Sequence, residues 1–383
     1  MANPDHAAAV RALLTSTALS ELLKNQHVIT VKDSSSVDQT LRVLAAHRIL
    51  SAPVVSTATE GREHPDSAEP SERTKDVAGF IDIRDILSSF LQEVGVGELK
   101  EAKMLKRMRI LEEAGARFAG KCIKDLKSLG SDGWFYSLTA APRTTLRDII
   151  HDGFLHPTQN KATFGGTRQR PVVHRLALHD DDGQLTNIVS QSDVVKFLYE
   201  HIDELGPMAD ATVQELGFVT GTVITVRPDT PALDAMILME ARNISAVAVV
   251  AASGSIIANF SISELRTIVS EHFGSLSLPV GEFLALEHGT EYAGYAIMKE
   301  DTETIESTPA ARFAHDRNLR RRESNPGYEV GQQLITCSPE ATFAEVLDKL
   351  VHNRLHRVYV CSEGLVPTGV VTLTDILRKL VEA

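Results

Sequence analysis

The sequence predicts an α/β fold built from four copies of one β-α-β-β-α unit. Two observations support this prediction: one hydrophobic pattern recurs four times along the 383 residues, and equivalent residues of different copies are separated by constant intervals. In each copy a short strand rich in β-branched residues precedes a helix with apolar residues at i, i+3 or i+4, and i+7. Two short apolar strands follow, and a second helix then begins with a cluster of Ser, Thr or Asp.

The four copies, called units one to four below, share the same order of elements. The opening strands are predicted at 28–31, 135–138, 223–226 and 334–337. The second strands are predicted at 51–55, 172–176, 244–247 and 355–360. The polar clusters that lead into the last helix lie within 79–85, 188–193, 260–264 and 371–375.

The spacing of equivalent residues supports this alignment. His356 follows His174 by 182 residues, and Asp375 follows Asp193 by the same interval. In unit one the corresponding hairpin is about fifteen residues longer, which predicts a surface insertion at 56–78 that is rich in Glu, Ser, Pro and Asp.

These patterns divide the chain into seven segments. They are an N-terminal helix at 1–24, unit one at 25–92, a helical linker at 93–133, unit two at 134–200, unit three at 210–271, a polar linker at 272–330 and unit four at 331–383. Because a unit of roughly fifty residues cannot bury both faces of its sheet alone, the units are expected to pair.

Composition restricts the classes of function. With a formal charge of -12 and a pI of about 5.6, the chain has no broad positive surface for nucleic acid or an anionic membrane. A bound anion therefore needs a local basic pocket. The three cysteines show no metal-ligand or disulfide spacing, which favours a reducing compartment, and no metal site is predicted. No catalytic motif is found, so the sequence predicts a protein that is not an enzyme.

Localisation follows from the same observations. No apolar run approaches the length of a membrane-spanning helix, and the N-terminus lacks the pattern of a secretory signal. We therefore expect a cytoplasmic protein. The basic run at 317–322 makes the nucleus an alternative, although such a run also fits a solvated linker.

Unit four carries the clearest family pattern, LVHNRLHRVYV at 350–360 followed by GVVTLTDILRKL at 369–380. This pattern resembles the CBS domain. Four such domains in one chain resemble the gamma subunit of AMP-activated protein kinase and its sucrose-non-fermenting relatives. The resemblance implies two paired modules that pack as a pseudo-symmetric disc. It also implies energy sensing through AMP, ADP or ATP as regulatory ligands, no cofactor, and a kinase alpha subunit and a scaffold beta subunit as partners.

In this family the hydroxyl-x-hydroxyl-Asp cluster before the last helix holds the nucleotide. A carboxylate can accept two hydrogen bonds from vicinal ribose hydroxyls, and a helix N-terminus attracts phosphate. The resemblance implies these contacts: Ser190, Ser192 and Asp193 in unit two, Thr372, Thr374 and Asp375 in unit four, Ser261 and Ser263 in unit three, and Asp85 in unit one. The same residues could instead cap the helix, and the sequence leaves both roles open.

Two units depart from this pattern. Unit three has Glu264 where the others have Asp, and unit one has Asp82 and Arg84 in place of the two hydroxyl residues. A longer carboxylate displaces the ribose contact, and charged side chains replace the hydroxyl donors. We therefore expect units two and four to provide the better sites.

A His-Arg pair on the second strand is the next part of the resemblance. His174-Arg175 and His356-Arg357 match positions whose side chains reach the phosphates in the family. A guanidinium offers a planar fork of donors that suits phosphate oxygens. Units one and three, with Ser51-Ala52 and Ser245-Ala246 at these positions, lack this clamp.

The opening strands carry the last implied contacts. By resemblance Thr30, Thr225 and Thr336 touch the adenine, although Thr is also an ordinary strand former. Three hypotheses follow: an adenine-nucleotide sensor in a kinase complex, an interaction scaffold with degenerate sites, or a stand-alone regulator that acts on another enzyme in trans.

Overall fold

The computed structural model describes residues 4–56, 77–95, 97, 99, 102–126, 133–157, 172–288 and 334–382. Most of the predicted insertion at 56–78, most of the linker at 272–330 and the basic run at 317–322 lie outside these residues. Within the described part no helix is long and apolar enough to cross a membrane.

The described strands form four three-stranded sheets of one topology. In each sheet the second strand lies in the middle, pairs in parallel with the first and pairs antiparallel with the third. The strands are β1 Val31–Lys32, β2 Ser51–Val55, β3 Val77–Asp82, β4 Gly133–Ser137, β5 Arg175–His179, β6 Leu185–Ser190, β7 Thr225–Val226, β8 Ala246–Val250, β9 Ile256–Ser261, β10 Thr336–Cys337, β11 Arg357–Cys361 and β12 Pro367–Thr372. This confirms the predicted α/β fold of four repeated units.

The helices lie between and after these strands. The α-helices are α1 Pro4–Ser16, α2 Val37–His47, α3 Ile83–Val94, α4 Met104–Ala119, α5 Leu146–Asp148, α6 Gln191–Glu200, α7 Pro207–Asp210, α8 Ala232–Ala241, α9 Val280–His288, α10 Phe343–His352 and α11 Leu373–Glu382. Helix α5 continues as a π-helix at Ile149–Leu155, and 3-10 helices include Ile262–Leu265 and Ser270–Ser277.

Helix α10 shows how the sequence sets these elements. Thr342 caps the helix: its side chain accepts a hydrogen bond from the backbone N–H of Glu345, whose carboxylate accepts one from the Thr342 N–H. This reciprocal box satisfies two donors that a helix start leaves open. Val346, Leu347 and Leu350 then form a buried face at helical spacing.

The units pack in two directions. One apolar core joins units one and three, and a second joins units two and four with the N-terminal helix α1. The sheets connect the units the other way: Arg175 of unit two bonds Ser51 of unit one, and Tyr359 of unit four donates to Asn259 of unit three at 2.9 Å. The four units therefore close a ring with pseudo-symmetry.

Several predicted boundaries were wrong, and each has a physical reason. The opening strands of units one, three and four span only two residues, since each pairs with only two residues of the second strand. The second strands of units two, three and four begin two or three residues later than predicted. The residue before each of these strands has another hydrogen-bond partner. The carbonyl of His174 accepts from the N–H of Gln191, the first residue of α6, and the carbonyl of His356 accepts from the N–H of Leu373, the first residue of α11.

Strand register also corrects the alignment of unit one. Ser51 pairs with Asp82 as Arg357 pairs with Thr372, so the residues equivalent to the His-Arg pair are Leu50 and Ser51 rather than Ser51 and Ala52. The longer hairpin hid this shift in the sequence. Within the predicted helical linker, helix α4 covers Met104–Ala119.

The predicted last helix of unit three is only a 3-10 turn at Ile262–Leu265. In units one, two and four the Asp three residues after the cap accepts the N–H of the capping residue. In unit three Ser261 accepts from the N–H of Ser263, and the buried Glu264 does not complete a capping box. Without that reciprocal bond the α-helix does not extend.

Candidate functional site

The sheet register places each Arg beside the helix cap of its own unit. Arg175 at the start of β5 is paired with Ser190, and Arg357 at the start of β11 is paired with Thr372. Ser190 and Thr372 begin helices α6 and α11. Each unit of this pair therefore brings a guanidinium and a helix N-terminus to the same edge of its sheet, a combination that suits an anion.

The carboxylates of these two units cap the helix with one oxygen. Oδ2 of Asp193 accepts hydrogen bonds from the Ser190 backbone N–H at 2.9 Å and its hydroxyl at 2.6 Å. Oδ2 of Asp375 accepts the same two bonds from Thr372 at 3.1 and 2.6 Å. The capping role is thus present in the structure, and only the Oδ1 atoms are left for a ribose.

The two Oδ1 atoms differ in their surroundings. Lys24 places its Nζ atom 2.5 Å from Oδ1 of Asp193, whereas Oδ1 of Asp375 lies 3.6 Å from the exposed Arg378 of its own helix. Lys24 belongs to a segment that also bonds Asn187 through its backbone. The unit-two carboxylate is therefore closely paired from outside its unit, and the unit-four carboxylate is not.

The remaining hydroxyls of the predicted clusters have separate positions. Thr374 donates to Oε1 of Gln191 at 2.9 Å and so connects units four and two, whereas Ser192 is exposed. Ser263 lies 3.4 Å from Nδ1 of His356 and connects units three and four.

Unit one uses its charged substitutions within the ring. Asp82 caps α3 by accepting from the Arg84 N–H at 2.7 Å, and Asp85 accepts from the Asp82 N–H at 3.2 Å. The Arg84 side chain contacts Glu240 at 3.3 Å and Asn243 at 3.2 Å in unit three. Asp82 and Asp85 are buried. The contacts of Arg84 join unit one to unit three.

The arginines of units two and four reach into the other two units. Arg175 donates to Oγ of Ser51 at 2.8 Å, and Arg357 donates to Oγ of Ser245 at 3.0 Å. Arg175 also lies 3.8 Å from the carboxylate of Asp82. The units without a clamp of their own therefore supply small hydroxyl partners to the clamps of their neighbours.

The electrostatics of His356 show that cations converge near this point. Burial, together with the nearby charges of Arg357, Arg175, Arg266 and His174, lowers the pKa of His356 to about 3. These residues come from units two, three and four. His356 is neutral at physiological pH, and the guanidinium groups around it form a positive centre that favours an anion.

Arg357 is a further cation whose surroundings affect its pKa. Burial lowers its pKa, and the charges of Tyr359, Glu264 and Asp375 act in the opposite direction. An arginine stays protonated in proteins, so this position keeps a positive charge in surroundings of low polarity. A phosphate there would gain a strong interaction, since such charges are weakly screened.

Sequence reasoning missed Arg266. It lies two residues after Glu264, and the equivalent positions of the other units hold Leu87, Val195 and Leu377. An arginine at a position that is apolar in three of four repeats was a usable signal.

The threonines expected to contact the adenine have different surroundings. Thr30 precedes β1, and both Thr30 and Thr225 are exposed. Thr336 lines a groove of about 1050 Å³ on the outer side of unit four, and none of His174, Arg175, His356 or Arg357 lines that groove.

A family model for the CBS domain matches residues 213–271 and 329–382, which correspond to units three and four. The chain contains CBS domains. Units one and two repeat the sheet topology of these two units.

Similar proteins support this assignment. Protein SDS23 from Meyerozyma guilliermondii is 23% identical over 356 residues, which are 89% of this chain and 56% of that protein. The 5'-AMP-activated protein kinase subunit gamma-3 of Bos taurus is 25% identical over 215 residues, which are 55% of this chain and 35% of that protein. This CBS chain thus spans about half the length of these curated relatives, or less.

A solved structure supports the fold over almost the whole chain. Protein MJ1225 from Methanocaldococcus jannaschii superposes with a TM-score of 0.56 at 14% identity, covering 94% of this chain and 99% of that one. The two proteins therefore share their fold along this length. Among the described residues no group of three or more His, Cys, Asp or Glu could hold a metal ion.

Proposed function

We propose that this chain is a non-catalytic regulatory protein that binds adenine nucleotides at the centre of its ring of CBS units. The observation that carries the proposal is the convergence of Arg175, Arg266 and Arg357 around the neutral His356, beside Asp375. The arginines suit phosphate groups, and Oδ1 of Asp375 suits the ribose hydroxyls.

The finer proposal is energy sensing within a protein kinase complex in the cytoplasm. The likeness to a kinase gamma subunit supports it, and the partners would be a catalytic alpha subunit and a scaffold beta subunit. AMP, ADP and ATP carry different numbers of phosphates and would engage different sets of arginines. A regulatory ligand shifts an equilibrium only through such a difference in affinity.

The test is calorimetric titration of the purified chain with AMP, ADP, ATP and adenosine. The informative variant is Arg266→Leu, because leucine occupies the same position in unit four and should pack there. Losing a charge-assisted contact should weaken AMP binding by about 10- to 100-fold and leave adenosine binding nearly unchanged. Equal AMP affinity in wild type and variant would contradict a phosphate site at this centre.

Asp375→Asn is the companion variant for the ribose. Asparagine keeps an oxygen that can accept the Thr372 N–H, so the helix cap survives, while the charge on the carboxylate is lost. We expect weaker binding of AMP and of adenosine. Asp193→Asn is its matched control, since Lys24 pairs with that carboxylate.

A second candidate function is an interaction scaffold without nucleotide control. Two observations favour it: units one and three use their cluster residues in structural contacts, and SDS23, which covers 89% of this chain, is not named as a kinase subunit. Absence of binding by any of the four ligands would favour this candidate.

A further inference from the structure

The groove on the outer side of unit four is acidic around an apolar floor. Its lining includes the carboxylates of Glu340, Glu345, Asp348 and Glu363 against the single ammonium of Lys349. Its floor includes Cys337, Ala341 and Ala344. A phosphate ligand would be repelled by this lining, so the groove is separate in its chemistry from the basic centre of the ring.

One carboxylate of the lining is held in a fixed orientation. Oδ1 of Asp348 accepts from the Tyr199 hydroxyl at 2.9 Å and lies 2.8 Å from Nδ1 of His352. Tyr199 and His352 also contact each other edge to face, with ring centroids 5.3 Å apart. An acidic group already ordered by its neighbours loses little freedom when it binds a cation.

The rim of the groove carries a leucine in an unfavourable conformation. The five-residue hairpin loops of units two, three and four are closed by the same backbone bond, from Asp180 to Gln184, Ala251 to Ser255 and Ser362 to Val366. The fourth loop position has positive φ in all three. It is Gly183 at 81° and Gly254 at 87°, but Leu365 at 58° in unit four.

A left-handed backbone disfavours residues that carry a Cβ atom, and glycine is the ordinary residue at such a position, as in units two and three. Unit four instead keeps Leu365 there with 51% of its surface exposed, next to Val366, which is 40% exposed. Neither side chain is buried among the residues that the structure describes, so packing against them does not explain the leucine. Contact with another molecule would explain an exposed leucine at this position.

We propose that this groove binds a basic amphipathic segment of a partner protein. Apolar side chains of that segment would pack on Leu365 and Val366 and on the apolar floor. Its Arg or Lys side chains would pair with the carboxylates of the lining, among them the ordered Asp348. The charge of the groove, four carboxylates against one ammonium, selects this class of partner.

The proposal can be tested with the full chain and a synthetic probe. The probe is a fluorescein-labelled peptide of about 14 residues, or four helical turns, with Leu at every third or fourth position and Arg between. Binding is followed by fluorescence anisotropy at low and high salt. A control peptide with Glu in place of Arg should not bind, and salt should weaken binding of the basic peptide.

Leu365→Gly is the decisive variant, because it restores the residue found in units two and three. We expect peptide affinity to fall by about tenfold or more, with a melting temperature equal to or above that of wild type. A variant that damaged the fold would lower both. Leu105→Ser removes another exposed leucine, 63% accessible, on helix α4, and should leave binding unchanged.

A second pair of variants tests the negative charge of the groove. Glu340→Lys should weaken peptide binding, whereas Asp229→Lys, at the equivalent position of unit three, should not. The proposal fails if wild type does not bind the basic peptide, or if Leu365→Gly and Glu340→Lys bind it as well as the two control variants do. It also fails if light scattering shows a dimer that Leu365→Gly converts to monomer, because a second copy would then occupy the groove.

Discussion

Units two and four differ from units one and three in what they bring to the centre of the ring. The former carry His-Arg pairs on their second strands, and the latter carry Leu50-Ser51 and Ser245-Ala246. The arginines of the first group bond the serines of the second, Arg175 to Ser51 and Arg357 to Ser245. The repeats therefore differ in their second strands: units two and four place arginines there, and units one and three provide the serines that these arginines bond.

The same pairing appears in the apolar cores. Units one and three share one core, and units two and four share the other, while a cluster of only five buried residues joins the sheets of units three and four. We therefore expect a mutation in one core to destabilise that core more than the other.

The largest expected effect is on the stability of one core alone. Phe273 of the one–three core contacts Phe90 with ring centroids 4.4 Å apart and is fully buried. Phe273→Ala should lower the free energy of unfolding of that core by about 3–5 kcal/mol. The sole tryptophan, Trp134, lies on strand β4 of unit two, so its fluorescence should follow the unfolding of that unit.

In urea unfolding of Phe273→Ala, far-UV circular dichroism should shift to lower urea while tryptophan fluorescence stays near the wild-type midpoint. Phe343→Ala, in the two–four core, should shift the fluorescence instead. Coincident shifts of both signals in both variants would show that the ring unfolds as one cooperative body.

The next effect is on pH dependence. Because burial lowers the pKa of His356 to about 3 from its ordinary value of 6.5, the unfolded chain binds a proton between these values that the folded chain does not. Stability from this group is complete above pH 6.5 and is lost as pH falls, by about 1.4 kcal/mol per pH unit. His356→Gln should remove this loss.

The measurement is urea unfolding of both proteins at pH 7 and pH 5, where most carboxylates remain ionised. Wild type should lose more stability than the variant. An identical loss in the two proteins would mean that His356 is already protonated in the folded ring. Adding AMP should reduce the wild-type loss, since a bound dianion favours the protonated histidine.

The repeat pattern made the sheets, helix caps and His-Arg pairs predictable, because each depends on residues close together in sequence. Other features depend on contacts between distant segments. The pairing of Lys24 with Asp193 spans 169 positions, and the acidic groove assembles only when Tyr199 packs against unit four. The shift to Leu50 was hidden by an insertion, and Arg266 could be found only by comparing the repeats with one another.

The helix caps of units three and four are expected to differ in their contribution to stability. Thr372→Ala removes a side chain that accepts the Asp375 N–H and donates to its carboxylate, and should cost about 1 kcal/mol. Ser261→Ala removes a cap from a 3-10 turn without a reciprocal bond and should cost less. Thermal unfolding measures both. A larger loss for Ser261→Ala would show that the unit-three turn is not the weaker helix start.

The smallest expected effect on stability, at Lys24, separates units two and four. The Lys24–Asp193 pair is partly exposed, with side-chain exposures of 56% and 25%, so Lys24→Ala should change stability by less than about 0.5 kcal/mol. The variant nevertheless removes the lysine from Oδ1 of Asp193, and Oδ1 of Asp375 has no such lysine among the described residues of the wild type.

If the lysine is what distinguishes the two carboxylates, an Asp375→Asn chain should regain AMP affinity by a few-fold when Lys24→Ala is added. Calorimetry on the single and double variants measures this gain, and Lys196→Ala, an exposed lysine on helix α6, is the control. If the double variant binds AMP no more tightly than Asp375→Asn, then Lys24 does not limit binding at Asp193, and the difference between units two and four lies in the residues that neighbouring units place around them.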